Sequence, residues 1–389
     1  MTPPVLFLGH GADRSGPPVF LANFQRWLST HTDLEFATVL TRGGPLLADF
    51  RSWGPVRVLD SRWTPARIVQ QGLARTGRQT SATRLRVARD RLHLRAWRDA
   101  RLVYLNTASP ATLRALGAVS ASAFVISHVH ELEVALRYQL DPRERALLLS
   151  RTDLFVAASH AVADNLADRH GIERDRIVVH HEFIEPVRPI AEDDRAAARR
   201  RLGLSPDAFV VGGSGRTEWR KGPDLFVHLA GALVPAVGRP TELCWVGGAT
   251  AGPEWWPLDH EAHHLGVADA VRFVGEQAIP ADWFRVLDVF ALTSREDAFP
   301  LAALEAASAG VPIVTFDTGG MVELVRGGAG TVVPYPRIGA FAEAVAALAA
   351  DEPLRRRLGA TAAELVRSRH LTKIGAPPLY ATLSRALDR

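Results

Sequence analysis

One cysteine, Cys244, stands in 389 residues. With nothing to pair with, it excludes an internal disulfide framework and a cysteine-rich zinc site. Its apolar surroundings make core packing its expected role. No apolar run reaches the roughly 20 residues of a membrane-spanning helix. The opening residues, MTPPVLFLGHG, lack a basic segment and lead straight into strand and loop. A secretory signal is therefore not expected, and cytoplasm is the expected compartment. Lysine is almost missing: Lys221 and Lys373 are the only two, so 44 of the 46 basic residues are arginine. Such a bias fits a GC-rich genome better than a function. It lifts the sequence pI to about 9.7 and makes Lys221 conspicuous. The dinucleotide fingerprint G-x-G-x-x-G fails in the first glycine-rich loop. No Walker A loop is present either, because no Ser or Thr follows a Gly-Lys pair.

What remains is a globular composition, 47% hydrophobic and 23% charged, on a chain long enough for two domains. Strand and helix signals alternate, which predicts parallel sheets covered by helices, an α/β fold. Strands are expected at Val5–Leu8, Leu34–Leu40, Val56–Leu59, Leu102–Leu105, Phe124–Ser127, Leu154–Ala157 and Ile177–Val179. The pattern restarts at Phe209–Gly213 and continues at Glu242–Gly248, Val271–Val274, Val289–Leu292 and Pro312–Phe316. A helix is expected at Val19–Leu28, a short one at Arg195–Leu202, and helical sequence fills Ile338–Arg369.

The stretch Ser294–Val325, SREDAFPLAALEAASAGVPIVTFDTGGMVELV, organises the rest. Pro300 is expected as a first-turn proline and Gly310 as a left-handed stop. Between them Leu301–Ala309 is apolar or small except for Glu305, the pattern of a helix buried all round. A carboxylate in such a helix is costly unless something hydrogen-bonds it. The helix N-terminus around Phe299–Leu301 offers N–H groups and a positive dipole to an anion. Glu305 and Asp297, eight positions apart, can accept from hydroxyl groups at either end of a ligand. The other reading of these residues is a core helix with a salt-bridged glutamate.

Asp297-x-Phe299-Pro300-x4-Glu305, Gly310-Val311-Pro312 and Gly319-Gly320-x-x-Glu323 together resemble the donor-site signature of retaining glycosyltransferases of family 4. The family usually has Glu at the position of Asp297. The resemblance implies the GT-B fold: two Rossmann-like domains facing a central cleft, with a C-terminal helix crossing back to the first. It implies a nucleotide-diphosphate sugar as donor, Glu305 on the ribose and Asp297 on the sugar. Gly215-Arg216-Thr217-Glu218-Trp219-Arg220-Lys221-Gly222 resembles the family's phosphate clamp. Arg216 and Lys221 would hold the diphosphate and stabilise the charge that develops on it. Gly275-Glu276-Gln277 falls where the family binds the base. No Asp-x-Asp occurs, so neither a metal nor another cofactor is expected.

In the first half, "GHGADRSGPP" resembles the family's first loop, with Gly16 as the residue expected at the donor; a plain tight turn is the alternative. His128-Val129-His130-Glu131-Leu132-Glu133 follows a strand, at the edge where α/β sheets bind ligands. The resemblance places His130 beside the donor sugar, with His128 in reserve; a capping or core histidine is the alternative. Arg62–Arg101 is dense in arginine, with Leu85, Ala88, Leu92 and Ala96 near one helical face. This region reads as a face for anionic lipid or an anionic acceptor, or as a solvated surface in an arginine-biased protein. No nucleic-acid recognition motif accompanies the charge.

The expected division is an acceptor-side domain over residues 1–185, a linker over 186–207, a nucleotide-sugar domain over 208–370 and a returning helix over 371–389. The expected activity is transfer of a sugar, with retention, to a hydroxyl or amine on a glycan, lipid-linked or small-molecule acceptor. Cell-surface polysaccharide or glycoconjugate synthesis at the inner face of the membrane is the expected setting. A natural-product glycosyltransferase, a nucleotide-sugar 2-epimerase and a non-catalytic sugar-nucleotide-binding subunit are the rivals.

Overall fold

The structure, a computed structural model, describes residues 3–60 and 79–389. The chain divides into two compact units, Met1–His181 with Gly375–Arg389, and Glu182–Ile374.

The first unit is built on a seven-stranded sheet in the order β3-β2-β1-β4-β5-β6-β7. Its strands are β1 (Val5–Gly9), β2 (Phe36–Leu40), β3 (Val56–Val58), β4 (Leu102–Leu105), β5 (Phe124–Val129), β6 (Leu154–Ala157) and β7 (Ile177–Val179). All pair in parallel, with Phe7 beside Tyr104 where β1 meets β4. β1, β2 and β4 are buried along their whole length, as expected of a parallel sheet covered on both faces.

The second unit repeats the plan with six parallel strands in the order β10-β9-β8-β11-β12-β13. These are β8 (Phe209–Ser214), β9 (Thr241–Val246), β10 (Val271–Gly275), β11 (Val289–Leu292), β12 (Ile313–Phe316) and β13 (Gly330–Val333). Phe209, Val211, Phe226, Leu243, Trp245, Val289, Val314 and Phe341 form its core.

In each sheet the strand order reverses once, between β1 and β4 and between β8 and β11. Loops leaving the C-terminal ends of strands beside such a reversal diverge and leave a crevice for ligands. Gly9–Ser15 and Asn106 leave the reversal in the first unit. Gly215–Gly222 and the start of Ser294–Val325, both singled out in the sequence, leave it in the second.

Several boundaries differ from expectation. The helix expected at Val19 starts at Gly16, with Pro17 and Pro18 in its first turn and an uncapped Ser15 ahead of it. The stretch 186–207 is not a linker but part of the second unit. Its helix Glu192–Arg201 is anchored by Arg199, which donates to the carbonyls of Val286 and Ala208 and to Asp288. Ile338–Arg369 is two helices, Ile338–Ala350 and Glu352–Arg369, because Asp351 caps Leu354 N–H at 2.8 Å. The last helix, Thr372–Leu387, begins in the second unit and runs into the first. There the Thr382 hydroxyl meets His180 Nε2 at 3.0 Å, and Arg101 donates to the carbonyl of Leu387.

Of the arginine-rich region, Arg62, Arg67, Arg75 and Arg78 lie outside the described residues. The helix Gln79–Leu94 turns Arg89 and Asp90 inward. Arg89 bonds Asp60 at 2.9 Å and Asp90 at 3.0 Å, and Arg114 Nε bonds Asp90 at 2.8 Å. Of the face expected over Leu85, Ala88, Leu92 and Ala96, Leu85 is half-buried and the other three are exposed, Leu92 by 61%. It is a surface flanked by Arg91 and Arg95, not a core face.

Candidate functional site

The second unit's site is built from two loops joined across the strand reversal. The N–H of Arg295 donates to the Arg220 carbonyl at 2.8 Å. Thr293 Oγ1 donates to the Gly222 carbonyl at 2.8 Å, and Arg220 Nη1 to the Glu296 carbonyl at 3.1 Å. Gly222 makes the closeness possible: at φ +68° a Cβ there would lie 2.1 Å from the Thr293 oxygen. Arg295 holds Asp224 with two bonds of 2.8 and 2.5 Å and carries its guanidinium 4.9 Å from the Trp219 ring centroid.

This junction brings Lys221 and Asp297 together. Lys221 Nζ donates to Asp297 Oδ2 at 2.5 Å, Ser294 Oγ donates to the same oxygen at 3.3 Å, and Arg220 stands 3.9 Å from the other. Burial holds the Lys221 ammonium below its ordinary pKa, against the opposing pull of Asp297. Behind Asp297 the Gly319-Gly320 turn closes on its backbone, and Gly320 N–H donates to the Asp297 carbonyl at 3.1 Å. At Gly319, φ +70°, a Cβ would stand 2.0 Å from that carbonyl oxygen.

Pro300 differs from expectation. Its ψ of 124° makes it the extended residue before the helix, which runs Leu301–Ser308. The first-turn N–H groups of Leu301 and Ala302 precede the first bond back to the Pro300 carbonyl, made by Ala303 at 3.2 Å. Phe299 is buried, its ring 5.2 Å from that of His370. Nor is the helix buried all round: Ala302, Glu305 and Ser308, three apart, are half-buried along one stripe. The Glu305 carboxylate has no hydrogen bond or ion pair among the described residues, so none of them supplies the salt bridge of the core reading. Desolvation alone pushes its carboxyl up to about 7. An unpartnered carboxylate that burial keeps partly protonated near neutrality is what a hydroxyl-rich ligand can relieve.

Arg216 is exposed at the end of β8 and makes no hydrogen bond or ion pair among the described residues. Glu276 is exposed in the turn after β10, where Gly275 (φ +69°) accepts from Gly247 N–H at 2.8 Å. The sequence reading missed Arg220, Ser294 and the Arg295–Asp224 clamp. The remaining signal for the clamp was an acid in the first helical turn after Gly222-Pro223.

In the first unit Gly16 opens the helix Gly16–His31, and His130 lies just past β5. His128 is inside β5 and 1% exposed, accepting from or donating to the Tyr104 hydroxyl at 2.7 Å. Burial, with His130 and His180 adding to it, keeps its pKa far below the ordinary value. It is a neutral core residue and leaves the reserve role. His130 is half-buried at the open edge.

Residues 194–365, all within the second unit, match the family model described as glycosyl transferases group 1. Among curated proteins, the chain is 34% identical over 231 residues to a D-inositol 3-phosphate glycosyltransferase of Streptomyces bingchenggensis, covering 56% of this chain and 49% of that one. It is 35% identical over 227 residues to the lipopolysaccharide core biosynthesis mannosyltransferase LpsB of Rhizobium meliloti, covering 56% and 60%. The matched part thus spans about half the length of these relatives. Among solved structures, Anabaena Alr3699/HepE in complex with UDP-glucose superposes with a TM-score of 0.80 over 98% of this chain and 99% of that one, at 19% identity. WaaG, a glycosyltransferase involved in lipopolysaccharide biosynthesis, gives 0.74 over 96% and 98%, at 15% identity. The fold is GT-B, two Rossmann-like α/β units.

Proposed function

We propose that this chain is a retaining glycosyltransferase of family 4 that takes a sugar from a nucleotide-diphosphate sugar and passes it to an acceptor hydroxyl or amine. The observation that carries the reading is the set Lys221, Asp297 and Glu305, held on the loops and helix at the strand reversal, with Glu305 lacking a protein partner among the described residues. Lys221, Arg216 and the N–H groups of Leu301 and Ala302 meet the diphosphate and the charge it gains as the glycosidic bond breaks. Asp297, fixed through its backbone by Gly320, accepts from the sugar's hydroxyls, and Glu305 from the ribose. Phe299 packs behind the helix start, and the Glu276 turn meets the base. The departing phosphate takes the acceptor's proton, so no nucleophile on the protein is required. In the first unit, Gly16 and His130 are the residues we assign to substrate.

The relatives named for inositol phosphate and lipopolysaccharide core transfer support an acceptor in glycoconjugate synthesis. No helix among the described residues is long and apolar enough to cross a membrane. Residence in the cytoplasm, peripheral to the inner face of the membrane, is part of the proposal. The exposed Ala88–Leu92–Ala96 stripe between Arg91 and Arg95 supports it. Flotation should show binding to vesicles containing phosphatidylglycerol at low salt, lost at about 0.5 M salt and absent from neutral vesicles. No binding to either vesicle would return the stripe to plain surface.

The first test is a thermal-shift screen of sugar nucleotides starting with UDP-glucose, the ligand of a structural neighbour; a ligand that binds only the folded state raises its melting point. Turnover should also persist in excess EDTA, because cations and a helix terminus do the work of a bridging metal. Activity lost to chelator and restored by magnesium or manganese would contradict the metal-free mechanism.

A further inference from the structure

Lys221 ends a single short 3-10 turn, Trp219–Lys221. Such a turn has few bonds of its own. Here they are Lys221 N–H to the Glu218 carbonyl at 3.0 Å and Gly222 N–H to the Trp219 carbonyl at 3.2 Å. The other loop supplies the rest. Arg295 donates from Nη1 to the Trp219 carbonyl at 2.8 Å and from its N–H to the Arg220 carbonyl at 2.8 Å. Ser294 Oγ donates to the Lys221 carbonyl at 3.5 Å, and Thr293 Oγ1 to the Gly222 carbonyl at 2.8 Å. Each carbonyl from Trp219 to Gly222 thus accepts from Thr293–Arg295. The lysine stem lies against Gly215, where a Cβ would stand 2.9 Å from Lys221 Cγ.

We infer that Arg295 is a positioning residue: its guanidinium grips Trp219 on one side of Lys221 and Asp224 on the other, and so sets the ammonium against Asp297. The inference deepens the proposed function and rests on its assignment of Lys221 to the diphosphate. An ion pair on a protein surface ordinarily contributes little. This one differs in geometry. The Arg295 side chain is 11% exposed. Nη1 and Nη2 take both oxygens of Asp224, at 2.8 and 2.5 Å, while Nη1 also holds the Trp219 carbonyl. The guanidinium plane lies 4.9 Å from the Trp219 ring centroid, an added attraction. A planar fork that bonds and stacks at once has no substitute among the other side chains. Asp297 follows two residues after Arg295 on the same loop. Moving Arg295 therefore shifts Lys221 and its partner carboxylate relative to each other.

The test uses the scarcity of lysine. Protein labelled with 13C in lysine gives two sets of side-chain signals, from Lys221 and the exposed Lys373, assigned by Lys373→Arg. The expected result is a Lys221 Cε signal that stands apart from that of Lys373 in the wild type. It should move toward the solvated position in Arg295→Gln and in Asp224→Asn. Release of UDP from UDP-glucose should fall about tenfold to a hundredfold in either variant, the scale of a small misplacement of a catalytic group. Added to Lys221→Ala, neither should lower it further, because Arg295 acts through the lysine. A clamp that supports the fold alone would lower stability in denaturant melts, leave the Lys221 signal in place and compound the loss in Lys221→Ala. If Arg295→Gln does not fold, Asp224→Asn decides, since the Asp224 side chain is 41% exposed. An unmoved Lys221 signal or undiminished turnover in Asp224→Asn overturns the inference. If the wild type neither binds UDP nor cleaves UDP-glucose, the donor reading fails separately and the Lys221 signal alone decides this one.

Discussion

Lys221→Ala is expected to lower turnover of a nucleotide sugar about a hundredfold, the equivalent of roughly 3 kcal/mol of transition-state stabilisation. The ammonium lies in the loop after β8, and the diphosphate gains charge as its bond to the sugar breaks. The same substitution should also weaken the fold, because Asp297 loses the partner it holds at 2.5 Å and is itself 8% exposed. Ser294 and Arg220 remain near it, so the loss should be about 1–3 kcal/mol, below the full cost of stranding a buried charge. The two effects separate in a cycle with Asp297→Asn. Removing both partners should recover stability relative to Lys221→Ala alone and leave turnover low. Turnover near the wild-type level in folded Lys221→Ala would take Lys221 out of the site.

Glu305→Gln is expected to weaken nucleoside diphosphate binding by about 1.5–3 kcal/mol, roughly tenfold to a hundredfold, because charge-assisted acceptance from the ribose is lost. Its effect on the apo protein has the opposite sign and depends on pH. Burial raises the folded pKa to about 7 from an ordinary value of 4.5. The folded state therefore holds this proton more tightly than the unfolded one, and its contribution is intact below about pH 4.5. Stability is lost as pH rises toward and through 7, on the order of 3 kcal/mol once Glu305 is ionised. The neutral amide of the variant carries no such loss. The variant should match the wild type near pH 4.5 and exceed it at pH 8 in denaturant melts. Ligand binding in the wild type should release a proton near pH 7 beyond that released with the variant, since the ribose favours the carboxylate. A variant that is weaker at pH 8 and binds nucleotide normally would show that Glu305 supports the fold alone.

Much of the site was legible because its chemistry is concentrated in short stretches. A glutamate inside Leu301–Ala309 and a lysine in a chain that otherwise uses arginine stand out without a structure. The pairing of Lys221 with Asp297 was not legible. The two are 76 residues apart, and only the adjacency of β8 and β11 brings their loops together. Choosing between His128 and His130 required the length of β5. Expected to end at Ser127, it runs to Val129, and those two residues put His128 inside the sheet and His130 beyond it. Other misses were avoidable. Asp351-Glu352-Pro353 is a cap followed by an early proline, a helix start within what was read as continuous helix. Glu192–Arg201 was placed in a linker for its polar sequence, yet Arg199 is buried among carbonyls of its own unit.

The measurement that bears most directly on this account is calorimetric titration of the wild type, Lys221→Ala and Glu305→Gln with UDP, GDP, ADP, CDP and TDP in EDTA. The account predicts that one of these binds the wild type without metal, one per chain, and that each substitution weakens it about tenfold or more. No binding of any of the five at millimolar concentration, or binding that both substitutions leave untouched, would contradict it.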